Sequence, residues 1–433
     1  HPLDCPICDQ GGECDLQDQA VGYGSDSSRD EEAKRAVKDK NLGPLVKTVM
    51  TRCIQCTRCI RFSTEIAGVS ELGATARGEG MEIGTYVEKA LTSELSGNLI
   101  DICPVGALTS KPYAFVARPW ELRKTDSVDV LDAVGAAIRV DARGPEVLRV
   151  LPRLNEDVNE EWLGDKSRFA VDGLMRRRLD SCWVRRDGKL VRAEWEEAFA
   201  AIAGKLAGMD GGRIGALAGD LADAESMLLL KELMAALGSA NIDCRQDGAM
   251  LDASRRDYYS FNTSIAGIEE ADALLIVGSN PRREAPLVNA RIRKAWLAGG
   301  LQVAAIGTPV DLTYPVEWLG ERPLALGGLL GGAGFAEVLK AAKRPMIIVG
   351  QAALARPDGA ALLAACWKLA AETGMLTADW HGFNVLHTAA SRVGALDLGF
   401  LTMDEGELER FAKTSREILA EPGVYKKRYR AKA

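Results

Sequence analysis

Ala273-Leu274-Leu275-Ile276-Val277-Gly278-Ser279-Asn280-Pro281 reads as a buried strand ending in a tight turn, and that reading decides the fold class. Five apolar residues in an unbroken run suit a strand covered on both faces, as in a parallel sheet. A helix over Leu287–Leu297 follows, closed by Gly299-Gly300, and then a second apolar run, Gln302–Ile306. Upstream, Arg213–Ala218 reads as a strand and Ala222–Leu237 as a helix. Asp223 and Glu225 fall in its first turn, where carboxylates suit the helix dipole, and Gly238 falls at its end. Downstream, Met346–Val349 is a further strand. The glycine-rich stretch Leu324–Ala336 reads as a loop or packed turn. Alternating strands and helices over residues 181–400 predict right-handed crossovers and a doubly wound parallel sheet, so the fold class is α/β.

The 433 residues suffice for several domains, with 47% hydrophobic and 27% charged residues, an ordinary globular balance. A net charge of −7 argues against nucleic acid as a partner. No window of eighteen apolar residues is present, so no direct membrane insertion is expected, and any work at a membrane is done by docking on other subunits. The chain opens at His1-Pro2, inside a ligand motif and without methionine, so its natural start is expected upstream.

Seven of the ten cysteines precede residue 104, which points to metal rather than to a disulfide framework. His1, Cys5, Cys8 and Cys14 form one constellation, H-x3-C-x2-C-x5-C. Gly11-Gly12 before Cys14 lets backbone N–H groups approach sulfur. Cys53, Cys56, Cys59 and Cys103 form the other, C-x2-C-x2-C followed at a distance by Cys103-Pro104. Thiolate and imidazole donors suit an iron–sulfur cluster or zinc. The tight triplet with a remote Cys-Pro matches the bacterial ferredoxin pattern for [4Fe–4S]. Residue 63 is Ser, so the fourth ligand must come from afar and one cluster, not two, is implied there.

Around these sites the chain divides into 1–44 (first cluster segment and connector), 45–121 (second cluster domain), 122–180 (a small β-rich domain), 181–400 (the α/β domain) and 401–433 (a charged helix candidate and basic tail). Ala137–Val140 and Val147–Leu151 are expected to pair as a hairpin around Arg143-Gly144-Pro145. A short helix is expected over Glu31–Val37 and a charged one over Asp404–Leu419. Cys182, Cys244, Cys366, His381 and His387 read as structural residues.

The segment His1–Asp18, the run Thr51–Phe62 and Cys103-Pro104-Val105-Gly106-Ala107-Leu108 together resemble the large iron–sulfur subunit of respiratory complex I. The likeness continues at Leu154–Trp162, Gly278–Arg282 and Glu284–Arg291. It implies two [4Fe–4S] clusters, held by His1, Cys5, Cys8 and Cys14 and by Cys53, Cys56, Cys59 and Cys103. It implies a [2Fe–2S] cluster only on an upstream segment, and a degenerate molybdopterin-oxidoreductase-like domain at 181–400 with no molybdopterin. A further cluster of some bacterial relatives is not expected, because Ser127–Ala136 has no cysteine. The implied role is a one-electron relay in the proton-translocating NADH:quinone oxidoreductase, with no complete active site on this chain. Implied partners are the flavoprotein, small iron–sulfur and quinone-side subunits of the peripheral arm. That arm lies on the cytoplasmic face of a bacterial inner membrane or the matrix side of the mitochondrial one. The competing readings are the cluster subunit of a molybdenum formate dehydrogenase or NAD-reducing hydrogenase, and a zinc-stabilised scaffold without redox function.

Overall fold

The computed structural model describes residues 1–402 except 30, 88, 177 and 179. The Asp404–Leu419 helix and the basic tail lie outside the described residues. The apolar run Ala273–Val277 is strand β1, buried along its whole length. With β2 (Gln302–Ile306), β3 (Glu317–Gly320), β4 (Pro345–Gly350) and β5 (Phe383–Leu386) it builds a five-stranded, all-parallel sheet. The order is β3-β2-β1-β4-β5. Direction of winding therefore reverses between β1 and β4, where α/β sheets open a crevice at their carboxyl ends.

The period-2 alternation of side chains divides two cores. Leu274, Ile276, Val303, Ala305, Met346 and Ile348 face a helix at Pro286–Ala298 and, behind it, the cysteine-rich half of the chain. Leu275, Val277, Ala304, Ile306, Ile347 and Val349 face helices at Leu324–Leu330, Phe335–Ala341 and Gly359–Glu372. The first core runs without interruption to Cys14, Cys59 and Cys103, so the sheet and the candidate ligand sites share one packed interior.

Two expectations fail. Leu324–Ala336 is not a loop: its glycines sit in and between two short helices because Leu326, Leu329, Phe335, Ala336 and Leu339 are buried on the sheet. Burial there outweighs the roughly 1 kcal/mol that each helical glycine costs. Glu31–Val37 is extended rather than helical. Thr51 Oγ1 accepts the Val37 N–H and donates to its carbonyl, and Thr48 Oγ1 does the same for Lys40. Those two hydroxyls give the backbone an alternative to helical hydrogen bonds.

The hairpin forms where expected, as Ala137–Arg143 against Glu146–Pro152, with Arg123–Val128 as a third antiparallel strand. Among the described residues no single helix is long and apolar enough to cross a membrane.

Buried arginines tie the cysteine-rich half to the sheet. A π-helical turn at Phe62–Ile66 leaves carbonyls free, and Arg293 donates to Thr64 O at 2.8 Å and Glu65 O at 3.0 Å. Arg291, 4% exposed, pairs with Glu269 and with Glu160 at 3.3 Å, and donates to Glu156 O and Val158 O. Replacing it by methionine strands these acceptors. Arg291→Met is expected to cost about 3 kcal/mol, by analogy with other broken buried pairs, read as a lower thermal midpoint of the purified chain. An unchanged midpoint would show that Lys294, which also reaches Glu160 and Glu269, suffices.

Candidate metal centres

His1, Cys5, Cys8 and Cys14 line one hollow, together with Asp4, Arg52 and Gly106. Pro6 sits in a 3₁₀ turn, Cys5–Ile7, that presents Cys5 and Cys8 to the same side. Gly12 then adopts φ +89°, a conformation that a side chain would resist, and returns the chain to Cys14. Cys14 caps the helix Asp15–Tyr23, and its Sγ accepts the Gln17 N–H at 3.4 Å. The positive end of a helix thus faces a sulfur that becomes negative when it binds metal.

Cations from elsewhere in the chain hold this loop in place. Arg118 donates to Pro6 O and Cys8 O, Lys47 pairs with Asp9 at 2.9 Å, and Arg149 grips Glu13 with two bonds at 2.7 and 2.9 Å. Arg52 pairs with Asp4 at 2.9 Å.

Cys53, Cys56, Cys59 and Cys103 line a second hollow, whose other walls include Met50, Ile83, Val105 and Leu108. Gln55 and Thr57, between the cysteines, take left-handed φ values of +51° and +60°. Such turns aim backbone N–H groups inward, and the Gln55 N–H reaches Cys53 Sγ at 3.4 Å. Cys103 ends the helix Asn98–Ile102. Burial pushes the Cys59 thiol up to about 12, and the neighbouring Cys103, Cys53 and Cys56 add to the shift. Burial also raises Cys53, Cys103 and Cys14. Thiols this crowded and desolvated ionise together only if a cation compensates them. The donors are soft, and the hard carboxylate at the first hollow is engaged by Arg52. Both sets fit a thiolate-ligated metal cluster. Among the described residues no three His, Cys, Asp or Glu side chains group as a site for a single ion.

One turn, Cys103-Pro104-Val105-Gly106, lies between the hollows. Pro104 O accepts the Leu16 N–H at 3.5 Å and the Cys14 thiol at 3.6 Å, while Gly106 lies directly against Cys8 Sγ. Sequence reasoning misses Arg52, Gly106, Arg118 and Arg149. The first two stand inside the ligand motifs, which is a usable signal; nothing local marks Arg118 or Arg149.

The remaining cysteines and histidines stay apart from both sets. Cys244 and Cys366 are buried in the α/β domain, and Cys182 is half-buried on a hairpin. His387 lies between the Gln351 amide and Tyr259 O, and burial pulls it down to about 4, so it is neutral at pH 7.

At the sheet's switch point, the Gly278–Pro281 turn borders a cleft of about 320 Å³. Its donors are turned inward. The Asn280 N–H goes to Glu284 Oε1 at 3.0 Å, Ser279 Oγ donates to Glu284 Oε2 at 2.7 Å, and the Asn280 side chain caps its own helix. Glu284 and Glu321 both line the cleft.

Comparison with known families divides the chain along the same lines. Residues 1–29 match the NADH-ubiquinone oxidoreductase-G iron–sulfur binding region. Residues 43–109 match the ferredoxin-like domain of NADH-quinone oxidoreductase subunit 3. Residues 122–172 match the NADH-ubiquinone oxidoreductase NDSU1/NuoG-like 4Fe-4S domain, and 178–416 match molybdopterin oxidoreductase. The chain belongs to the molybdopterin oxidoreductase family, in its NuoG-like branch. It is 54% identical to the NuoG-like NADH-quinone oxidoreductase protein of Rickettsia bellii (strain RML369-C) over 410 residues, which are 94% of this chain and 60% of that protein. It is 55% identical over 403 residues to the mitochondrial NADH dehydrogenase [ubiquinone] iron-sulfur protein 1 of Solanum tuberosum, covering 93% of this chain and 55% of that one. The chain thus spans about 60% of the length of such relatives. A chain of NAD+-reducing [NiFe]-hydrogenase in the H2-reduced state is 26% identical over 27% of this chain and 51% of its own, with a TM-score of 0.24. This NuoG-like chain therefore carries 4Fe–4S binding domains, but its 122–172 stretch contains no cysteine.

Proposed function

We propose that the chain relays single electrons within NADH:quinone oxidoreductase, holding one [4Fe–4S] cluster on His1, Cys5, Cys8 and Cys14 and another on Cys53, Cys56, Cys59 and Cys103. The observation that carries this reading is the pair of four-donor hollows joined by one turn, at Pro104 and Gly106. Each bound cluster supplies a reversible one-electron couple.

The chain's own residues supply the setting. The apolar walls around Cys59 and Cys103 limit water, and the Gln17 and Gln55 N–H groups aim at sulfur; both tune potential. His1 is neutral where a fourth thiolate would be negative, which favours the reduced state of the first cluster. Electrons enter from a flavoprotein partner and leave toward the quinone-side subunits. The peripheral arm that holds them docks on the cytoplasmic face of a bacterial inner membrane or its mitochondrial matrix equivalent. The segment 122–172 forms no cluster, for want of cysteines. The α/β domain serves as a scaffold without molybdopterin: Glu284 occupies the donors of the switch-point turn, and two carboxylates on the cleft oppose a phosphate-bearing cofactor.

Iron and acid-labile sulfide on the anaerobically purified full chain test the reading. About eight of each per chain, with two distinct reduced-cubane resonances, are expected from two [4Fe–4S] clusters. A colourless protein with about two zinc ions per chain would replace the relay with a structural scaffold.

A further inference from the structure

We propose that the Arg52–Asp4 pair sets the reduction potential of the first cluster, with Arg52 acting as an electrostatic positioning residue between the two cluster sites; this rests on the two-cluster reading above. Arg52 immediately precedes Cys53, yet its side chain turns away from the second hollow and lines the first, beside Cys5, Cys8 and Cys14. That side chain is 5% exposed, against 29% for Asp4. Its Nε donates to Asp4 Oδ2 at 2.9 Å, and its Nη1 lies 3.4 Å from Gly106 O. One guanidinium therefore joins the backbone of one ligand set to the loop of the other.

Its charge has a direct consequence. Reduction adds one negative charge to a cluster, and a buried cation beside it favours that state, whereas a carboxylate disfavours it. The two partners do not cancel, because Asp4 is the more exposed and the better screened by solvent. The guanidinium is permanently charged, so the bias persists at every working pH. A purely structural pair would act differently: removing either partner would loosen the same loop and move the potential the same way.

The test is an electron paramagnetic resonance titration of the anaerobically reconstituted full chain. Dithionite is the reductant, giving one electron per cluster and ending as sulfite. Arg52→Gln is expected to move the first cluster's midpoint to more negative potential, Asp4→Asn to more positive potential, and Arg52→Lys to restore most of the wild-type value. Shifts of the same sign in the Arg52→Gln and Asp4→Asn proteins, or none, with iron content at the wild-type level, would overturn the proposal and leave the two-cluster reading standing. Absence of iron from the wild-type chain would overturn both. If Arg52→Gln fails to load its first cluster, Asp4→Asn decides alone, since it keeps the buried cation and must raise the midpoint.

Discussion

Cys59→Ala is expected to lower the iron content from about eight to about four atoms per chain and to abolish one of the two reduced-cubane signals. The reason lies in how the second site is built. Cys59 is buried, and its thiol is pushed up to about 12 by desolvation and by three neighbouring cysteines. Charge at this position is tolerated only in the presence of a cation, so the four sulfurs bind as a set or not at all. Alanine removes one donor from a wall that has no substitute: Met50, Ile83 and Val105 offer no strong ligand. Cys366→Ala is the control. Cys366 is as deeply buried, and burial also pushes it up to about 12, but it packs in the far core among leucines. That substitution is expected to cost about 1 kcal/mol in packing and no iron. Retention of eight iron atoms by Cys59→Ala would remove Cys59 from the ligand set.

The contrast between those two cysteines also measures what the sequence makes legible. Spacing separates them at once, because three cysteines within seven residues have a chemical meaning that an isolated one lacks. The central strands are equally plain: Ala273–Val277 and Gln302–Ile306 form between the limits that their apolar runs suggest. The edge of the sheet is not. Phe383–Leu386 is only four residues long and contains Asn384, fully buried but satisfied by Thr263 Oγ1, Ile347 O and Gly382 O. Two of those partners lie 37 and 121 residues away, and no local pattern reveals them. Glu317–Gly320 is hidden in the same way, as a short edge strand that begins with a charge and ends in glycine. In the candidate sites, the eight donors could be read from their spacing, while the arginine clamps could not. Arg118 and Arg149 reach the first loop across more than a hundred residues, so only the folded chain brings them together.

Gly106→Ala offers the sharpest separation between a residue that shapes the fold and one that shapes a cluster site. Gly106 does not occupy the left-handed region, so its backbone accepts a side chain without strain. A Cβ there would nevertheless fall well inside van der Waals contact of Cys8 Sγ, with Gln10 Cβ at 3.3 Å and Arg52 Cδ at 3.7 Å. In the metal-free protein the clash is cheap, because Cys8 Sγ ends a short, rotatable side chain and can swing aside. Once that sulfur is bonded to iron it cannot move, and the methyl group competes with the ligand geometry itself. The metal-free thermal midpoint is therefore expected to stay near the wild-type value, while iron loading falls from about eight to about four atoms. The surviving resonance should be the one that Cys59→Ala removes. The two substitutions thus assign the two signals reciprocally. Loss of both signals in Gly106→Ala would mean that the Cys103–Gly106 turn is rigid enough to transmit the displacement to Cys103. Full loading would mean that Cys8 binds from a different rotamer, with its sulfur directed away from the turn.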